Sequence, residues 1–107
     1  MKIRVYKRIR DNVYDVLVKT AEWSQSDIEL FREFGEPEVD VGTEGHPRFA
    51  KVMTGFPVFG SFHEGSADEA DTLATAWKDE VIARVKAAVE AQRQLKDQFS
   101  GEEVHMV

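Results

Sequence analysis

His46 stands two residues after Glu44 and His63 immediately before Glu64, and together these four residues could do chemistry. If a loop and a strand end brought them together, two imidazoles and two carboxylates could hold a metal ion or work as an acid/base pair. The spacing does not impose that arrangement. No His-x-x-x-His or His-Glu-x-x-His pattern fixes two ligands on one element, so the favoured reading is solvent-exposed loop residues, and His105 falls in the C-terminal tail. The acidic run Glu36, Glu38, Asp40 and Glu44 resembles a hard-cation ligand set by residue type only. It lacks the ligand order, the central glycine and the closing glutamate of an EF-hand loop, and reads as a solvated edge.

A third candidate is the stretch TGFPVFGSFHEG, residues 54 to 65. Its glycines, at 55, 60 and 65, recur every five residues, which matches neither the dinucleotide fingerprint nor a P-loop, and no Lys-Ser/Thr pair follows to hold a phosphate. Alternation then makes it a strand, with Phe56, Val58 and Phe62 on one face and Phe59 on the other. Pro57 cannot donate to a ladder and confines the strand to a sheet edge or a bulge.

The N-terminal segment offers charge instead. Lys2, Arg4, Arg8 and Arg10 project from one strand face with Lys19 opposite Arg4, and Tyr6 lies among them. Basic groups around an aromatic make up a platform for single-stranded nucleic acid. One aromatic is thin support for it, and the stripe can equally pair with acidic groups of the same chain or of a neighbour. Residues 1–20 carry six basic and two acidic groups, whereas residues 21–71 carry three and twelve, which argues against a general affinity for nucleic acid. No site implies a cofactor or a metal, and the chain reads as non-enzymatic.

The elements that must position these groups follow from periodicity. Residues 2–10 and 13–21 alternate with period two, and Asp11-Asn12 between them can supply the positive φ angles of a hairpin turn. That register sets Ile3, Val5 and Ile9 opposite Thr20, Val18 and Tyr14 on the core face, with Arg8 opposite Asp15 and Tyr6 opposite Leu17 on the other. The second face is partly apolar, which suits cover by another element or another chain. Residues 24–34 form a short helix capped by Ser24, with Ser26/Glu29 as an alternative box, and end at Gly35. A short strand at 38–41 and a turn-rich loop, GTEGHP, come next; then 48–54 and 56–62 read as strands joined through Thr54-Gly55. Ser66 and Glu69 open a long amphipathic helix whose apolar stripe runs from Leu73 through Leu95 to Phe99. About 30 residues span ~45 Å, longer than the ~26 Å diameter of a compact domain of this size, so the helix either overhangs or breaks near Arg93.

The chain of 107 residues fits a single α+β domain, residues 1–100, with a flexible tail at 101–107. The expected architecture is a four- to five-stranded, mainly antiparallel sheet, with the long C-terminal helix packed on one face and a short helix after the first hairpin. There are no cysteines, which excludes disulfides and thiolate sites. Charges interrupt the N-terminal apolar residues, so neither a signal peptide nor a membrane span is expected, and a cytoplasmic location is the simplest reading. The leading functional expectation is a small interaction module that pairs with another protein, most simply itself as a homodimer, through Phe59, Leu95, Phe99, Tyr6 and Leu17. The alternatives are a nucleic-acid accessory protein using Lys2, Arg4, Arg8, Arg10 and Lys19, and an enzyme using His46 and His63.

Overall fold

The computed structural model describes residues 1–53, 55–99 and 101–107. Strands β1 (Lys2–Arg10) and β2 (Val13–Ala21) form the N-terminal hairpin with Tyr6 opposite Leu17, Arg8 opposite Asp15 and Ile9 opposite Tyr14, the register that alternation dictates. Of the two turn residues only Asp11 takes a positive φ, 53°. Helix α1 (Gln25–Phe34) starts at Ser24, whose hydroxyl accepts from the Asp27 amide while the Asp27 carboxylate accepts from the Ser24 amide. The chain leaves α1 through Gly35 at φ 87°.

Strands β3 (Glu38–Asp40) and β4 (Phe49–Lys51) pair antiparallel, and β5 (Pro57–His63) pairs with β2, so the five strands divide into a β1-β2-β5 sheet and a β3-β4 ribbon. The hairpin expected between 48–54 and 56–62 does not form. The loop before β4 closes on itself, with Val41 N–H donating to Arg48 O (2.7 Å) and His46 N–H to Thr43 O (2.9 Å), and this lays residues 49–51 beside 38–40 instead. The Phe56 N–H donates to the Met53 carbonyl, and Gly55 takes φ 72°; Thr54 of the expected turn lies outside the described residues. Pro57 opens β5, an edge strand, where its missing N–H disrupts no inner ladder.

Helix α2 (Ala67–Gln98), capped by Ser66, runs unbroken across the inner face of the sheet and packs on β2, β5, β3 and α1. Val16, Val18, Val81 and Val85 are fully buried between them, each contributing about 1.5 to 3 kcal/mol by leaving water. Trp77 ties the two sheets together: its indole packs on Phe62 (centroids 5.7 Å apart) and its Nε1–H donates to Val41 O at 2.9 Å. A side chain at position 60 would obstruct it, since a Cβ there would lie 2.9 Å from the indole. Gly60 therefore serves close packing between strand and helix, which is the structural meaning of at least one glycine in TGFPVFGSFHEG.

At the far end of the core, buried Asp27 joins α1 and α2 to Met1, the residue before β1. Burial alone would raise its pKa, but the Met1 ammonium (2.8 Å), the Ser24 cap and Arg93 (3.1 Å) hold it well below the usual carboxylate range. Past this point no side chain of α2 is buried. The molecule measures 66 × 29 × 18 Å with a radius of gyration of 17.4 Å, against roughly 13 Å for a compact chain of this length. Among the described residues no helix is long and apolar enough to cross a membrane.

Candidate functional site

Side chains of the three-stranded sheet alternate between two faces, and α2 covers only the inner one. The outer face is therefore built from every second residue of β1, β2 and β5, and the two registers line these up in rows. Tyr6, Leu17 and Phe59 form one row straight across the sheet. Arg4, Lys19 and Pro57 flank it on one side; Arg8, Asp15 and Ser61 flank it on the other, with Arg10, Val13 and His63 beyond. Tyr6 and Phe59 are 53% and 52% exposed, and Leu17 between them is half-buried. Adjacent strands lie about 4.8 Å apart, so the two aromatic side chains rise some 10 Å from one another, with a leucine between them.

The polar row is held by Asp15, which is buried although it points to the open face. Its Oδ2 accepts from Arg8 Nη2 (2.7 Å) and Nε (3.1 Å) and from Arg10 Nε (3.2 Å), and its Oδ1 accepts from Ser61 Oγ (2.8 Å). The bonds from Arg8 and Ser61, joined by Arg10 and outweighing the effect of burial, pull its carboxyl down to about 2. On the opposite flank Glu22 takes Lys2 (2.8 Å) and Arg4, which hold its carboxyl below the ordinary range. The five basic residues singled out from sequence do share one face. Four of them are already paired, while Lys19 makes no ion pair among the described residues.

This arrangement is poor in reactive groups. Ser61 Oγ, which donates to Asp15 Oδ1 at 2.8 Å, also lies 3.3 Å from His63 Nε2. His46 lines a shallow depression beside Gly42, Arg48 and Trp77, and among the described residues no hydrogen bond joins it to His63. No cluster of three or more His, Asp or Glu side chains among the described residues is placed to hold a metal ion. On the acidic run, Asp40 accepts from the Gly42 and Arg48 amides (2.9 and 3.3 Å); these bonds keep its carboxyl below the ordinary range and tie it into the loop.

Leu95 and Phe99 lie away from this face, on the projecting end of α2, 39% and 68% exposed. They continue the stripe that Val85, Val89 and Gln92 bury against the body. Two contributors escaped the sequence reading. Ser61 joins Asp15 only because β5 lies beside β2, a long-range pairing with no local signal, and Glu22 reaches Lys2 and Arg4 from a backbone at φ 53°. No protein-family model, no curated protein and no solved structure matches this chain.

Proposed function

We propose that this chain is a non-enzymatic protein-interaction module whose working surface is the open face of the β1-β2-β5 sheet, recognising an acidic segment that presents large apolar side chains. The observation that carries the reading is the Tyr6-Leu17-Phe59 row, apolar and half-exposed across all three strands, with basic residues on both flanks. Exposed aromatics of this kind supply contact area at small entropic cost, and a rim of one charge selects a partner of the other. The test is binding of synthetic peptides that carry Leu and Phe four residues apart in an acidic context, with basic counterparts as controls. Binding of the acidic series alone, weakened by salt and abolished by Phe59→Ser, is the expected result. Equal binding of both series, or indifference to Phe59→Ser, would refute it.

The pair Tyr6 and Phe59 also favours a second reading, in which single-stranded nucleic acid stacks its bases on the two rings. Against it, Arg8, Arg10, Lys2 and Arg4 already neutralise Asp15 and Glu22, leaving little charge for phosphates. Fluorescence anisotropy with labelled oligonucleotides at low salt decides between the two. Salt-sensitive binding lost in Phe59→Ser would favour nucleic acid.

A further inference from the structure

Resting on the reading of the open sheet face as a binding surface, we infer that its occupant is the projecting end of α2 from a second copy of this chain, exchanged reciprocally about a two-fold axis.

Three observations converge. First, α2 outruns its own body: among the described residues its last polar contacts inward are Gln92 Nε2 to Gly35 O (2.8 Å) and Arg93 to Asp27 (3.1 Å), yet the helix continues to Gln98. Second, the projecting turns keep the apolar stripe, with Leu95 and Phe99 four residues apart on one side, exposed to solvent. That stripe packs on a sheet wherever it meets one: Trp77, Val81 and Val85 of the same helix lie buried on the inner face of the β1-β2-β5 sheet, and the outer face offers an apolar row one residue deep and three strands wide. Third, the charges are complementary. The open face carries Lys2, Arg4, Arg8, Arg10 and Lys19 against Asp15 and Glu22, while the segment from Gln94 onward carries Asp97, Glu102 and Glu103 against Lys96.

Charge disfavours a second route to self-association, pairing through the β1 edge. Among the described residues no strand pairs with the outer edge of β1, but a two-fold pairing of β1 with its copy centred on Tyr6 would set Arg4 opposite Arg8 and Lys2 opposite Arg10. Like charges directly opposite are destabilising, and basic side chains are a common guard on exposed edges. Reciprocal exchange avoids this, because each protomer contributes one helix end and one sheet face, so the contact is made twice and the assembly closes as a dimer.

Exchange of this kind makes a distinctive prediction for mixtures. Sedimentation equilibrium of the full chain in the high-micromolar range should show a monomer–dimer equilibrium. Phe59→Ser and Phe99→Ser, both at exposed positions, should each weaken dimerisation about tenfold or more while leaving the thermal unfolding midpoint near that of the wild type. An equimolar mixture of the two variants should dimerise more tightly than either alone, because the mixed dimer retains one intact contact. A peptide of residues 90–107 should dissociate the wild-type dimer. A strictly monomeric wild type overturns the inference, as does a dimer insensitive to Phe99→Ser. In either case the acidic-peptide assay still decides independently whether the sheet face binds, so the two failures are distinguishable. A dimer lost in both variants but not regained in the mixture also overturns it, since reciprocal exchange requires that recovery.

Discussion

Replacing Gly60 by alanine should destabilise this protein, although the same change in an ordinary strand would help. Gly60 does not take a positive φ, so backbone strain is not the issue and the argument rests on space alone. A Cβ there would lie 2.9 Å from Trp77 Cζ3 and 3.0 Å from both Trp77 Cη2 and Phe62 Cε2, well inside the ordinary contact range of about 3.5 to 4.0 Å. Relief requires a shift of some half an ångström or more by the indole or the strand. The indole is held by its 2.9 Å bond to Val41 O and by Phe62, so swinging away would strand a buried N–H. Overpacking of this kind costs about 1 to 3 kcal/mol. The loss of glycine's freedom in the unfolded chain returns only about 0.4 to 1 kcal/mol. The difference leaves a net loss on the order of 1 to 2 kcal/mol, or a fall in Tm of roughly 5 to 15 °C for a domain of this size. Thermal unfolding followed by circular dichroism measures it directly, and combining Gly60→Ala with Trp77→Leu should shrink the alanine penalty, because the obstructing ring is gone. An unchanged or raised Tm in Gly60→Ala would refute the close-packing account of this glycine.

The Asp15 network makes stability depend on acid: with the folded carboxyl near 2 and the unfolded one near 3.8, the unfolded state binds more protons between these values. Stabilisation is complete above about pH 4 and is lost as pH falls through about 2, and Asp15→Asn should flatten this part of a urea-unfolding series against pH. Asp27→Ala removes both the α1 capping box and the partner of the nearly covered Met1 ammonium, and should cost about 3 kcal/mol in chemical denaturation. Thr20→Val should stabilise by about 1 kcal/mol, because the Thr20 hydroxyl is buried with no hydrogen-bond partner among the described residues; a loss in the same assay would mean the hydroxyl is satisfied.

What could be read in advance tracks how local the determining interactions are. The first hairpin's register was legible because alternation puts Ile3, Val5 and Val18 on a common face and the two-residue turn at Asp11-Asn12 fixes which residues stand opposite, and Ser24, Gly35 and Ser66 mark helix ends within a few residues of themselves. The partition into two sheets was not. Whether residues 49–51 pair with 38–40 or with 57–63 depends on how tightly the loop from Val41 to Arg48 closes, and periodicity treats both as hairpins. The candidate face shows the same split. Tyr6 and Leu17 could be matched from the hairpin, and Phe59 could be assigned to the outer side of its strand. Only the docking of β5 on β2 sets all three in one row and brings Ser61 to Asp15.

That docking also bears on how selective the face can be. Asp15, buried and shared among Arg8, Arg10 and Ser61, fixes two long basic side chains beside the apolar row, and Glu22 restrains Lys2 and Arg4 on the opposite flank. Side chains already held in place lose less freedom when a partner arrives, which removes about 0.5 to 1.5 kcal/mol of ordering cost for each one immobilised. The same pairing lowers the net positive field, so long-range attraction is modest, and on the proposed reading a partner's apolar anchors would seat on the row between Arg4 and Lys19 on one side and Arg8 on the other. A carboxylate-bearing helix end can add to an existing Arg–Asp pair by sharing the guanidinium's free donors, with no need to displace Asp15. A phosphate chain could share the same donors, but with four of the five basic residues already facing Asp15 or Glu22 it finds little surplus positive charge, whereas the exposed Tyr6-Leu17-Phe59 row offers apolar area that only a partner with apolar or aromatic groups uses, which is what supports the proposed protein partner.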